Sequence, residues 1–107
     1  MPGSTRSDLL QDAAQNMTKR IDVIVSGRVQ GVAFRWHTLQ KAREMGIFGS
    51  VRNLPDGTVA IVAEGETGPL QRFMAWLGQG PAHARVVSTE VHWSEARGEY
   101  TDFIILG

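Results

Sequence analysis

The stretch with the most chemical potential is Val25-Ser26-Gly27-Arg28-Val29-Gln30-Gly31-Val32-Ala33-Phe34-Arg35, where a strand-like run passes through two glycines into a series of helix formers. A glycine-containing turn that ends at a helix N-terminus exposes backbone N–H groups with no intrahelical acceptor. Together with the helix dipole, such groups make an anion pocket. Arg35 falls in the first turn of the expected helix, where a cation is disfavoured unless an anion lies nearby. A guanidinium beside a ring of N–H donors suits phosphate, which it grips through two parallel hydrogen bonds. On spacing alone, a plain strand-to-helix connection with a solvated Arg35 is an equally good reading. No Gly-Lys-Ser/Thr follows Gly31 and no G-x-G-x-x-G is present, so a Walker loop and a nucleotide cofactor gain no support.

The other polar candidates are weaker. Asn53 stands just ahead of Leu54-Pro55-Asp56-Gly57, so on its own it reads as a turn former. His37, His83 and His92 share no ligand spacing and no H-E-x-x-H occurs, so no metal site is expected. Glu64 and Glu66 flank a turn and read as a solvated strand edge rather than paired catalytic carboxylates. Trp36, Trp76 and Trp93 fit core-facing positions of two helices and a strand, not a platform for stacking bases.

Eleven Lys plus Arg balance eleven Asp plus Glu. A chain living on nucleic-acid phosphates or anionic lipid would carry a basic excess, so neither partner is expected. No apolar run approaches the ~20 residues of a membrane span. The chain has no cysteine, which removes disulfides, zinc ribbons and thiol nucleophiles together.

The elements that must position these residues come at short spacing within 107 residues, enough for one domain. Residues 1–19 are polar and read as a loosely docked extension, with Met17 a candidate translation start. Lacking a basic segment followed by an apolar core, they give no secretion signal, and the cytoplasm is the expected compartment. From Arg20, Ile21, Val23 and Val25 alternate as a strand, and residues 33–45 follow as a helix stopped by Gly46. Residues 47–53 and 58–64 predict a hairpin about the Leu54–Gly57 turn. Leu70, Phe73, Met74 and Leu77 fall at helical spacing, and Val87, Thr89, Val91 and Trp93 alternate as the cleanest strand. Phe103 to Leu106 offers a short terminal strand.

The order is β-α-β-β-α-β. Two helices can cover only one face of a four-stranded antiparallel sheet, which leaves the other toward solvent. This is the α+β, ferredoxin-like split-βαβ arrangement. It hosts many activities, so function must be argued from the site.

Gly27-Arg28-Val29-Gln30-Gly31-Val32-Ala33-Phe34-Arg35 resembles the first signature of the acylphosphatases. Gly49-Ser50-Val51-Arg52-Asn53-Leu54-Pro55-Asp56-Gly57-Thr58-Val59, closing with Gly65, is similar to their second. The resemblance covers roughly Arg20 to Leu106, so an acylphosphatase-like domain over residues 20–107 is expected. It departs from the family pattern at Ser50, where an aromatic residue is usual, and at Ala60, where an acidic one is common.

The resemblance implies hydrolysis of a small acyl phosphate to a carboxylate and inorganic phosphate, by a monomer that needs no metal or cofactor. It implies Arg35 as the phosphate-binding arginine, with backbone N–H groups of Gln30, Gly31, Val32, Ala33 and Phe34 completing the cradle. Asn53 would correspond to the asparagine that holds the attacking water. The reading from another class is a non-catalytic ferredoxin-like module that binds a phosphorylated ligand through nearly the same cradle.

Overall fold

A computed structural model describes residues 18–107. The polar extension at residues 1–19 and the Met17 start lie outside the described residues, except that Thr18 and Lys19 already belong to the first strand. The elements are β1 (Thr18–Arg28), α1 (Phe34–Glu44), β2 (Phe48–Asn53), β3 (Val59–Glu66), α2 (Thr67–Gln79), β4 (Arg85–Glu95) and β5 (Phe103–Ile105). They form one sheet in the order β4-β1-β3-β2-β5. The expected four strands are antiparallel, and β5 adds a fifth, parallel to β2. The sheet is therefore mixed. Its parallel pair follows from connectivity: the chain leaves β4 at one edge, crosses the sheet end through residues 96–102, and returns along the far edge.

Alternation in β1 puts Ile21, Val23 and Val25 on the helix-covered face, where Val51, Val59, Ile61 and Ala63 join them. From above, α2 buries Leu70, Phe73 and Leu77 completely, as their spacing predicts, with Met74 at the margin. Phe73 anchors the layer, stacked on Trp76 at 6.3 Å and edge-on to Phe103 at 6.1 Å. Emptying such a position costs about 3–5 kcal/mol.

Three sequence expectations are corrected by these surroundings. Trp36 is 54% exposed, because α1 turns Phe34, Thr38 and Ala42 inward and position 36 then falls on the far side of the helix. Trp93 lies opposite Ile21 on the core side, yet it is 38% exposed because β4 is an edge strand reaching beyond the helices. Glu64 is not a solvated edge. It is buried, and its carboxylate accepts N–H bonds from Arg97 (2.8 Å) and Gly98 (3.0 Å) with the Arg20 guanidinium 3.7 Å away. Arg20 also pairs with Asp22 and Glu99, so this cluster ties the crossover segment down on the open face.

Candidate active site

The loop that follows β1 begins with a constrained approach of two strands. Gly27 has φ 128°, and a side chain there would collide with the Arg85 carbonyl, so only glycine permits the β1–β4 contact. Beyond it, Gly31 (φ 75°) and Ala33 (φ 60°) are left-handed, whereas Val32 between them has no positive φ. Alternating handedness turns successive N–H groups toward one side, forming an anion-binding concavity. For a non-glycine residue such as Ala33, this conformation costs roughly 1–2 kcal/mol. Ala33 is also the N-cap of α1, without a side-chain cap and without an acidic residue in the first turn. Among the described residues, no backbone N–H from residues 30–34 donates to a backbone carbonyl. The donors at the positive end of the dipole thus have no backbone acceptor.

Arg35 occupies the first turn of α1 and joins none of the ion pairs among the described residues. Asn53 ends β2 opposite Val59, on the same sheet face as Val51. Its backbone N–H donates to the Gly107 carbonyl (3.3 Å), while the neighbouring Leu106 N–H donates to Val51 (2.9 Å). The Asn53 side-chain oxygen Oδ1 is buried and has no hydrogen-bond partner. A buried acceptor left unpaired costs about 1–3 kcal/mol, so its retention needs a reason. One cavity of about 220 Å³ brings Gly31, Ala33, Phe34, Arg35 and Asn53 together. A larger hollow of about 490 Å³ lies beside Lys19 and Trp93 at the β4 edge, with none of these residues in its wall.

Nor does Asn53 build the turn that follows it. Leu54 N–H donates to the Thr58 carbonyl (2.8 Å) and Gly57 N–H to that of Leu54 (3.1 Å). The Asp56 carboxylate accepts from the Thr58 hydroxyl (2.6 Å) and N–H (3.0 Å), bonds that hold its pKa below the usual 3.8. What fastens this turn to the loop is Gln30. Its Nε2 donates to the Leu54 carbonyl (2.9 Å) and the Thr58 carbonyl (2.8 Å). Sequence reasoning credited Gln30 with a backbone N–H only, and nothing in its spacing announces the side-chain role. Ser50 lies on the opposite sheet face, 3.3 Å from the hydroxyl of Tyr100. There the crossover segment brings up an aromatic ring where the family pattern has one on β2. Ala60, paired with Arg52 and Ile24, also stays out of the cavity wall.

Among the described residues, no group of three or more His, Asp or Glu side chains could hold a metal ion. None of their helices is long and apolar enough to cross a membrane.

A split-βαβ sheet that sets a curled loop, an arginine outside the ion pairs of the described residues and an unpartnered amide oxygen around one cavity describes an α+β domain with a candidate phosphoryl site. Comparison with known proteins narrows this. The acylphosphatase family profile matches residues 21–105. An acylphosphatase of Methylococcus capsulatus is 47% identical over 88 residues, covering 82% of this chain and 96% of the relative. One from Rubrobacter xylanophilus is 48% identical over 95 residues, covering 89% and 84%. The crystal structure of acylphosphatase from Bacillus subtilis superimposes with a TM-score of 0.80 at 34% identity, covering 83% of this chain and 99% of that one. The chain belongs to the acylphosphatase family. It is an enzyme that hydrolyses acyl phosphates, so turnover replaces the reading of a module that only binds.

Proposed function

We propose that Arg35 and the backbone N–H groups of Gln30, Gly31, Val32, Ala33 and Phe34 hold the phosphoryl group while Asn53 orients the attacking water. The observation that carries this reading is the buried, unpartnered Oδ1 of Asn53 in the same cavity as Arg35. Turned by rotation of the side chain toward the cavity, this acceptor takes a water O–H, which leaves a water lone pair free to face phosphorus. A carboxamide does not take a proton at neutral pH, so its role is positioning. The water oxygen bonds to phosphorus, and the P–O bond to the acyl group breaks with its electron pair going to the carboxylate. One water proton passes to a phosphoryl oxygen. The leaving group has a pKa near ~4 and needs no general acid. What the protein supplies is alignment and charge stabilisation, as phosphoryl transfer generally allows.

The proposal includes a monomer working in the cytoplasm on a small molecule rather than nucleic acid. The balanced charge of the chain supports the small-molecule part. Light scattering and cell fractionation check the monomer and the compartment.

The experiment is Asn53→Ala with benzoyl phosphate as substrate. Because Asn53 touches water and not phosphate, kcat should fall about 100-fold, the size of one lost transition-state hydrogen bond. The inhibition constant of inorganic phosphate should stay within about twofold. A folded variant with near-normal kcat removes Asn53 from the mechanism, and loss of phosphate affinity puts it in the cradle.

A further inference from the structure

The cavity that holds Arg35 and Asn53 is not polar throughout. Val29 and Phe34 form a buried apolar floor, whereas Trp36 and Ile105 stand at the rim, 54% and 39% exposed. The two rim residues come from different elements, the first turn of α1 and the end of β5. Trp36 lies away from the buried stripe of its helix and makes no ring contact with another aromatic among the described residues. Packing therefore gives no account of a large indole at this position. Scattered apolar residues on a surface are ordinary, but here two of them border a site whose other occupant is a charged group.

Resting on the cradle reading above, we infer that Trp36, with Ile105 beside it, is the acyl-group subsite and favours substrates with a flat or branched apolar acyl group. The phosphoryl end is fixed by the N–H groups and Arg35 in the cavity, so the acyl end faces its mouth. An acyl ring laid on the exposed indole removes apolar surface from water on both partners. Covering roughly 55 Å² is enough for about a tenfold gain in binding. A methyl group reaches little of this surface, so acetyl phosphate gains almost nothing.

The test compares wild type, Trp36→Ala and Trp36→Phe with benzoyl phosphate and acetyl phosphate as substrates. The inhibitors are benzoylphosphonate, acetylphosphonate and inorganic phosphate. Trp36→Ala should raise KM for benzoyl phosphate, and the inhibition constant of benzoylphosphonate, about tenfold. Acetyl phosphate, acetylphosphonate and inorganic phosphate should shift less than twofold, and Trp36→Phe should recover most of the benzoyl preference. Equal shifts for the benzoyl and acetyl probes, or no shift for either, overturn the subsite. Arg35→Ala, run alongside, separates the two readings. If it leaves phosphate inhibition intact, the cradle fails; if it abolishes inhibition while Trp36→Ala shifts nothing, only the subsite fails.

Discussion

Gln30→Met tests how the cradle is tied to the strand that ends in Asn53. Methionine keeps the length of the side chain and removes both Nε2 donors, which reach Leu54 and Thr58 at 2.9 and 2.8 Å. Neither acceptor is orphaned, since Gly57 N–H still donates to Leu54 and Leu54 N–H to Thr58. The loss is then the net value of two ordinary hydrogen bonds, about 2 kcal/mol in total, and not the larger penalty of buried unpaired groups. For a domain of this size that lowers Tm by about 8–16 °C. Activity should respond more steeply, because a shift of ~1 Å between cradle and water costs about 100-fold. Thermal unfolding followed by circular dichroism and benzoyl phosphate hydrolysis well below Tm give the two readouts. Expected are a lowered kcat with phosphate inhibition within about threefold, since Gly31 and Ala33 shape the cradle themselves. Gln30→Glu should be worse than methionine, because it points a carboxylate at two carbonyl oxygens. Unchanged Tm and kcat in Gln30→Met would refute the reasoning, and so would phosphate affinity lost while kcat is kept.

Arg35→Ala should abolish hydrolysis and weaken inhibition by phosphate, and Arg35→Lys should rescue little, because a lysine lacks the planar fork; the loss is about 3 kcal/mol or more in kcat/KM. Activity should survive exhaustive EDTA and gain nothing from magnesium or zinc, given the absence of a ligand cluster among the described residues; an enzyme that dies in EDTA and recovers with one metal refutes this. The Asp102 carboxyl is held below its ordinary value of 3.8 by the Phe103 N–H and then by Arg43. Its contribution to stability is therefore complete above about pH 4 and disappears as pH falls through the lowered pKa. Asp102→Asn should flatten the acid limb of a Tm-against-pH curve below that point and leave its shape unchanged above it.

The hairpin, α2 and the β1 face were legible because their burial follows directly from local periodicity, as Leu70, Phe73 and Leu77 show. Periodicity does not reveal where a strand sits in the sheet. The alternation of β4 was the clearest in the chain, yet Val87 is 75% exposed. The register slips between Ser26 and Gly27, so Val86 packs inward in its place. Trp36 misled for a related reason: its spacing to Leu39 and Ala42 fits a stripe, and both of those are buried, but Phe34 and Thr38 complete that stripe in place of Trp36. Glu64 and Gln30 were illegible because their partners lie 33 and 24 or more positions away, on segments whose approach only the tertiary fold decides. Arg35 and the glycine loop became candidates because a helix start can be read locally, although spacing alone left them level with a plain connection and the first signature decided between the two. Asn53 became a candidate through the second signature, since alone it looked like part of the turn.

The order of elements along the chain also sets when each wall of the cavity is synthesised. The cradle loop and α1 are made early, and the hairpin that carries Asn53 follows within the next thirty residues or so. The wall beside Asn53 waits for β5, which is the last strand of the fold and docks in parallel against β2, some fifty positions back along the chain. Until then Val51 and Asn53 lack the bonds to Leu106 and Gly107, and the cavity lacks Ile105. On the assignment proposed above, a nascent chain halted before Phe103 would have the loop for the phosphate but an open wall beside Asn53, and hydrolysis would wait for the final strand.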